Sequence, residues 1–324
     1  MKRMLTAISI LITLLLCACG PSQSGEEGPD YTPTIPQTPT GAVSDSIPHR
    51  FVEQGETLYF SAGDSVLCLQ EEGMQLLFTA DTPDYLFITG DYLIHREVAE
   101  RGEDNTPLEY RVVRRALADP QRETLLFRGD VQWVYEYRET VWMMTAEGDL
   151  VKINVQADTS GYYHFGISDL PAAWGDQLYF ADGEAVRVMD LNTEETSLVL
   201  TRAGVMNLFA YEDHLCFTTE ESGVLEMLRI SSGEITLQED LPCVGLTVQG
   251  DNLSYVQNSD GEFSVKIYDG ERIRTGFVLG RIRECSEPYF TEEGTYLYLG
   301  SDDYYGLVLV DPAGQISYLE ASEG

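Results

Sequence analysis

The chain has 324 residues, of which 43% are hydrophobic and 10% aromatic, so it carries enough apolar material for a folded core. Its 54 acidic and 20 basic side chains give a formal net charge of −34 at pH 7. This balance argues against nucleic-acid binding, which depends on Lys and Arg neutralising phosphates, and against contact of the folded domain with anionic lipid. It is typical of a protein kept soluble by self-repulsion, with an acidic docking surface as the alternative.

Residues 1–18 are interpreted as an export signal. Basic residues at the start precede an apolar run from Leu5 to Leu16, which is shorter than the roughly 17–25 residues that span a bilayer. The next segment, Leu16-Cys17-Ala18-Cys19, resembles the lipobox of bacterial lipoproteins. The resemblance implies that Cys19 is lipidated and becomes the new N-terminus after cleavage. Acyl chains on Cys19 would then anchor the protein at the bacterial cell membrane, facing outside the cytoplasm.

Residues 19–46 are predicted to form the lipidated cysteine and a solvated tether. From Gly20 to Ser46 the composition shifts to Pro, Ser, Thr and Gly, and the segment contains no Lys or Arg. Such a segment cannot bury a core, and its prolines add polyproline II stiffness. Its reach lies between about 30 Å as a flexible coil and roughly 80 Å when extended, so it would hold the folded domain away from the membrane.

Residues 47–324 contain a motif that occurs seven times. Its clearest copy is Gly175-Asp176-Gln177-Leu178-Tyr179-Phe180, a tight acidic turn followed by an apolar strand. Equivalent apolar residues stand at positions 58, 93, 141, 178, 215, 253 and 297, separated by 35, 48, 37, 37, 38 and 44 residues. Spacing in this range indicates a repeat architecture.

Each repeat is predicted to hold four antiparallel strands. In the fourth copy these strands are Pro171–Trp174, Gln177–Ala181, Ala185–Leu191 and Ser197–Leu200, with turn residues between them. Four-stranded units repeated about seven times can pack radially and bury both faces of each sheet. We therefore predict an all-β fold, a β-propeller of seven four-stranded blades, with six or eight blades as alternatives. The segment from Arg96 to Glu109 is predicted to be an extended hairpin loop in the second blade.

The repeats resemble those of bacterial surface propellers of the low-density-lipoprotein-receptor-like and TolB-like type. Units of the receptor type carry a Tyr-Trp-Thr-Asp signature, and the nearest copy here is Leu178-Tyr179-Phe180-Ala181-Asp182. The signature Trp is present in one copy, Val141-Trp142-Met143, and the Thr is missing. The resemblance implies the propeller fold and brings no catalytic residue to this chain.

The loops of a propeller lie on two faces. We call the face that carries the turns between the first and second strands of each blade the turn face, and the opposite one, with the blade-to-blade links, the link face. Varied loops on a rigid scaffold are common binding sites. A cationic and aromatic spot for an acidic glycan or peptide is therefore predicted on the link face. The candidate binding residues are Tyr304, Tyr305, Arg281, Arg283 and Trp133.

No catalytic residue, metal or cofactor is predicted. The histidines at 49, 95, 164 and 214 lack the spacing of zinc ligands, and the oxygen-rich segment from Asn258 to Glu262 fits a hairpin turn better than a calcium loop. The sequence also lacks the Ser-x-Asp-x-Gly-x-x-Trp box of sialidases and a Gly-x-Ser-x-Gly elbow.

The remaining cysteines and the clustered arginines favour structural interpretations. Cys68 and Cys216 fall within strand patterns, whereas Cys243 and Cys285 are either buried thiols or a bridge. Arginines crowd the second repeat, and in so acidic a chain most are expected to be internal ion-pair partners. They are Arg111, Arg114, Arg115, Arg122 and Arg128.

Together these features favour a monomeric, lipid-anchored propeller of the cell envelope that binds a protein or glycan and has no catalytic activity. Two alternatives stay open. One is a propeller hydrolase or lyase that acts on envelope polysaccharide through paired carboxylates. The other is a scaffold for envelope assembly.

Overall fold

The computed structural model describes residues 50–70, 73–155, 159–221, 225–239, 243–249, 252–259, 262–268, 272–282, 284–286, 288–291, 294–300 and 305–319. The predicted export signal, Cys19 and the tether lie outside the described residues, so they stay predictions. Within these ranges, no helix has the length and apolar character needed to cross a membrane.

The described residues form seven antiparallel sheets, each a meander that follows chain order. The first three blades comprise β1 (Phe51–Gln54), β2 (Thr57–Ala62), β3 (Ser65–Gln70), β4 (Gly73–Thr79); β5 (Asp84–Thr89), β6 (Tyr92–Arg101), β7 (Pro107–Ala116), β8 (Asp119–Gly129); and β9 (Val131–Tyr137), β10 (Thr140–Thr145), β11 (Asp149–Asn154), β12 (Thr159–His164).

The fourth to sixth blades follow the same plan. They comprise β13 (Ala172–Trp174), β14 (Gln177–Ala181), β15 (Ala185–Asp190), β16 (Thr196–Thr201); β17 (Val205–Tyr211), β18 (His214–Thr219), β19 (Leu225–Arg229), β20 (Glu234–Glu239); and β21 (Cys243–Gln249), β22 (Asn252–Ser259), β23 (Glu262–Tyr268), β24 (Ile273–Arg281).

The seventh blade has a first strand in two pieces. Both β25 (Glu284–Cys285) and β26 (Tyr289–Phe290) pair with β27 (Thr295–Gly300), which is followed by β28 (Tyr305–Val310) and β29 (Ile316–Tyr318). The first strands of neighbouring blades contact one another, as β1 does β5 and β13 does β17, so the first strands line the inside of the ring. The prediction of a seven-bladed, all-β propeller is confirmed.

The predicted strands of the fourth repeat differ from those in the structure by at most one residue at either end. The prediction of a loop from Arg96 to Glu109 is wrong, because β6 continues to Arg101 and β7 begins at Pro107. Here charged residues pair across two long strands, as Glu97 does with Arg111. The polar composition that suggested a loop therefore belongs to a paired hairpin.

The apolar residue that marks each repeat is a core residue of the second strand in every blade. All seven are at most 7% exposed. A buried second strand is expected in a propeller, because neighbouring blades cover both faces of each sheet. The residues are Leu58, Leu93, Val141, Leu178, Leu215, Leu253 and Leu297.

The acidic turn of the repeat also has a structural role. Its second residue accepts a main-chain hydrogen bond from the residue that directly follows the third strand, in four successive blades. This bond ties the two turns on the turn face together, and it explains why the turn recurs in the sequence. The donor–acceptor pairs are Leu117–Asp91 (2.9 Å), Val155–Glu139 (2.9 Å), Leu191–Asp176 (2.7 Å) and Ile230–Asp213 (2.7 Å).

The first residue of the same turn has a left-handed backbone. Gly90 and Gly175 have φ angles of 55° and 58°, which glycine adopts at little cost. Blades three and five place Arg138 and Glu212 there, both with φ of 48°. The repeat thus tolerates a non-glycine residue at this turn in two of its copies, at an energetic cost.

Side chains join blade seven to blade one. The Tyr289 ring stacks on the Phe51 ring with centroids 5.6 Å apart, and the Tyr289 hydroxyl donates a hydrogen bond to Glu53. Burial and this hydrogen bond raise the pKa of Tyr289. Each sheet is one continuous stretch of the chain. Closure of the ring among the described residues therefore depends on side-chain packing.

Cys68 and Cys216 are buried within strands β3 and β18, as predicted. Cys285 is buried in the first strand of blade seven. The side chain of Cys243 lies outside the described residues, so a bridge between Cys243 and Cys285 stays a prediction.

Candidate functional site

Two of the predicted binding residues, Arg281 and Tyr305, stand at the link-face ends of strands in blades six and seven. Strand β24 ends at Arg281, whose side chain is exposed, and the chain then enters β25 at Glu284. Glu284 pairs with Gly300 on one side, and Tyr305 pairs with Gly300 on the other. The backbones of Glu284 and Tyr305 are therefore two strand spacings apart, roughly 10 Å.

This pairing places the start of β28 at the link-face end of blade seven, whereas Arg281 pairs with Glu262 at the link-face end of blade six. Arg283 and Tyr304 lie outside the described residues, and of Tyr305 the structure describes the backbone. The grouping of these residues into one spot, and its side-chain arrangement, stay predictions.

Trp133 does not belong to this spot. Its side chain is completely buried in β9, the first strand of blade three, and its ring stacks on Tyr135 with centroids 5.9 Å apart. A buried ring has no surface that a partner can contact. Trp133 is therefore a core residue, as the apolar character of the run from Val131 to Tyr135 could have indicated.

The same end of blade seven adjoins the point at which the chain enters the domain. Arg50 directly precedes β1, and its guanidinium lies 5.3 Å from the centre of the Tyr298 ring. Tyr298 is in β27, two residues before Gly300. The described part of the chain therefore begins on the link face, near the end of β27.

Blade two contains a buried charged network that sequence analysis did not resolve. His95 and Glu97, both almost fully buried, are 3.0 Å apart between Nε2 and Oε2. Arg111 contacts Glu97 and lies 2.8 Å from Glu123, which Arg115 contacts at 2.5 Å. Neighbouring strands thus present alternating charges that neutralise one another.

The network sets the protonation of its central pair. Burial lowers the pKa of His95, which favours a neutral imidazole that donates from Nε2 to Glu97. Burial alone would raise the pKa of Glu97, but His95, Arg111 and Arg115 hold that pKa below its usual value. A charged, acceptor-only carboxylate is therefore kept inside the blade by its own partners.

A second buried charge connects blades two and three. The Arg96 guanidinium binds Asp84 through two hydrogen bonds of 2.8 and 2.6 Å and donates to the carbonyl of Val131 at 2.7 Å. Two rings sandwich it, those of Tyr85 at 4.7 Å and Tyr110 at 4.3 Å. Arg96 therefore satisfies main-chain acceptors of the next blade, which makes it a structural residue.

The prediction that the arginines of blade two are mostly internal ion-pair partners is confirmed for Arg111, Arg115 and Arg128. Arg114 differs, since it donates to the carbonyl of Val155 at 3.3 Å and lies over the Tyr92 ring. Arg122 is exposed.

Potential metal ligands are dispersed. In the part of the chain that the structure describes, no group of three or more His, Cys, Asp and Glu side chains is arranged to hold a metal ion. His164, at the end of β12, is 2.9 Å from Asp149 and largely exposed.

No family model matches the chain, and no curated protein matches it. Many solved structures share its fold. The β-propeller domain of Cps50 (Swd1) from Myceliophteria thermophila has a TM-score of 0.57 and 12% identity, covering 87% of this chain and 100% of that chain. A chain of the mitotic checkpoint complex has a TM-score of 0.55 and 13% identity, with 86% and 95% covered.

A bacterial extracellular domain is also similar. It belongs to a putative one-component system from B. thetaiotaomicron and has a TM-score of 0.55 and 16% identity. The match covers 86% of this chain and 40% of that chain. At such identities these similarities establish the propeller fold alone.

Proposed function

We propose that this chain is a lipid-anchored propeller of the bacterial cell envelope that binds a protein partner on its link face and performs no chemistry of its own. The fold supports a scaffold role, because propellers present loops on a rigid ring. The sequence around Cys19 supports the anchor, since its likeness to a lipobox implies lipidation.

The observation that carries the binding proposal is the pairing of Glu284 and Tyr305 with Gly300. It sets the start of β28 at the link-face end of blade seven, and Arg281 ends the outer strand of blade six on the same face, which supports a site that draws on both blades. Arg111, Arg115 and Arg128 of blade two make ion pairs within the blade, and Arg281 at the end of β24 is exposed. Basic and aromatic positions here suit an acidic segment of a partner protein.

The comparisons agree with a protein as the partner. A chain with this fold is part of a solved multi-protein assembly, the mitotic checkpoint complex. An acidic envelope glycan is the competing ligand, and the partner experiment distinguishes the two.

The anchor is tested by replacing Cys19 with Ser in cells that carry the full chain. We expect the wild type to incorporate labelled fatty acid and to sediment with membranes. Cys19→Ser should lose the label and leave the membrane fraction, whereas Cys17→Ser, the matched control, should keep both. Equal labelling of the wild type and Cys19→Ser would contradict the anchor.

The binding site is tested with an Arg281→Ala/Tyr305→Ala variant of the full chain, compared with a turn-face control, Glu139→Ala. Envelope material captured by each protein is digested with protease or with glycosidases. We expect the double variant to lose a protease-sensitive partner that the control retains. If glycosidases and not protease destroy the captured ligand, the partner is a glycan. Equal capture by all variants would contradict the proposed site.

A further inference from the structure

The outermost strands of the blades differ in how regularly they pair. In five blades the register between the third and fourth strands shifts, which marks a β-bulge. These shifts occur in the pairs β3–β4, β7–β8, β15–β16, β19–β20 and β23–β24. Bulges and very short strands are the common means by which sheet edges avoid pairing with other chains.

Blade three lacks this protection. Strand β12 pairs with β11 in one continuous register from Asp149–His164 to Asn154–Thr159. Its counterpart in blade seven, β29, is also regular but has three residues where β12 has six. A regular antiparallel outer strand directs alternate N–H and C=O groups to solvent, so β12 is the longest regular outer edge among the described strands.

The side chains of β12 also favour strand addition. The sequence from Thr159 to His164 contains no Asp, Glu, Lys or Arg, in a chain where these residues make up 23%. The Tyr162 side chain is 59% exposed, so its ring is available to the side chains of an added strand. The preceding residue, Gly161, has no side chain that could obstruct that strand. Aromatic side chains stabilise cross-strand pairs.

The edge is held in place from its other face. Tyr163 donates a hydrogen bond to Glu194 of blade four, and its ring lies 5.7 Å from that of Trp142 and 6.0 Å from that of Phe165. Glu194 also pairs with Lys152 on β11. A rigid edge loses little conformational entropy when another strand pairs with it.

We propose that β12 is a docking edge for an extended, basic segment of another protein, which adds as a fifth strand to blade three. A charge of −34 attracts a basic segment and repels a second copy of this chain. Strand addition takes its affinity from main-chain hydrogen bonds and its selectivity from alternate side chains. This edge is separate from the link-face site and does not depend on lipidation.

The full chain in mild detergent is titrated with a peptide of about ten residues that alternates Lys with Val or Tyr, a length that covers a typical strand. Amide hydrogen exchange locates the contact. Two matched control peptides are used. One carries N-methyl groups on alternate amides, and the other has Glu in place of Lys. Tyr162→Thr tests the edge. Leu198→Thr, at a similarly exposed site on the bulged β16, is its control.

We expect slower exchange over residues 159–164, and binding about tenfold weaker in Tyr162→Thr, a difference of about 1.4 kcal/mol. Leu198→Thr should bind as the wild type does, and both matched peptides should bind at least about tenfold more weakly. Equal binding of the N-methylated peptide, protection at another outer strand, or no protection with millimolar peptide would overturn the proposal. So would a dimer of this chain that Tyr162→Thr dissociates.

Discussion

Tyr289 of blade seven stacks on Phe51 of blade one, with ring centroids 5.6 Å apart and ring planes inclined by 22°. These residues are 4% and 1% exposed. Each blade is formed by one continuous stretch of the chain, so side-chain packing joins blade seven to blade one. The stack of Tyr289 on Phe51 lies in the buried cluster that makes this contact. Its strength should therefore affect the stability of the whole domain.

We expect Tyr289→Ala to lower the free energy of unfolding by about 3–5 kcal/mol, because it removes a buried aromatic ring from the closing contact. Tyr289→Phe keeps the ring and removes the hydrogen bond to Glu53, so it should cost about 1 kcal/mol. Urea unfolding of both variants checks this. Equal losses for the two would show that the stack does not close the ring.

The turns of the repeat predict opposite changes in the free energy of unfolding for two substitutions. Glu212 adopts a φ of 48° where Gly175 adopts 58° in the preceding blade. Glu212→Gly should raise the free energy of unfolding by about 1 kcal/mol, and Gly175→Ala should lower it by about 1–2 kcal/mol. Thermal unfolding measures both changes, and a destabilised Glu212→Gly protein would contradict the role assigned to this turn.

Buried His95 makes stability depend on pH. Its pKa is lowered from 6.5 by burial and by Arg115, against the opposing effects of Glu97 and Asp84. The unfolded chain therefore binds more protons as the pH falls below about 6.5, and the folded state loses stability until the pH passes the lowered pKa. His214 is shifted in the same direction and adds to the loss.

The measurement is the free energy of unfolding between pH 5 and pH 7 for the wild type and His95→Gln, which keeps a donor for Glu97 but takes up no proton. We expect the slope against pH to be smaller in the variant. An unchanged slope would mean that His95 does not contribute to the acid sensitivity.

We expect the domain to lose stability when one partner of the buried Arg96–Asp84 ion pair is removed. Arg96→Met leaves the Asp84 carboxylate buried without its guanidinium, which typically costs about 3–5 kcal/mol. Arg96→Met/Asp84→Asn removes both charges and should cost less than Arg96→Met alone. Urea unfolding of the two variants decides this, and a double variant less stable than the single one would contradict the pairing of these two buried charges.

The fold could be predicted from the sequence because each repeat is marked by residues that act locally, in one turn and one strand. The turn and the apolar residue at Leu178 recur where second strands begin, so their spacing predicted about seven blades. The sequence did not predict that the segment from Arg96 to Glu109 is mostly strand. The charged residues that pair across β6 and β7 have the composition of a loop. Nor did it place Trp133, since an aromatic residue suits both a core and a binding surface.

The docking edge could not have been found from composition. The regularity of β12 emerges only from its pairing with β11, and the exposure of Tyr162 only from the neighbouring blades. By contrast, the grouping of Arg281 with Tyr305 followed from the order of strands in a propeller. In the structure Tyr305 pairs with Gly300 in blade seven and Arg281 with Glu262 in blade six, and their grouping into one site stays a prediction because it depends on side chains that a sequence does not position.

In-cell photo-crosslinking tests the central claim most directly. A photoreactive amino acid replaces Tyr305 in one variant of the full chain and Glu139, on the turn face, in a second variant. We expect a discrete, protease-sensitive adduct in the membrane fraction from position 305 and none from position 139. Adducts at both positions, or at 139 alone, would contradict a link-face binding site on an envelope-anchored propeller.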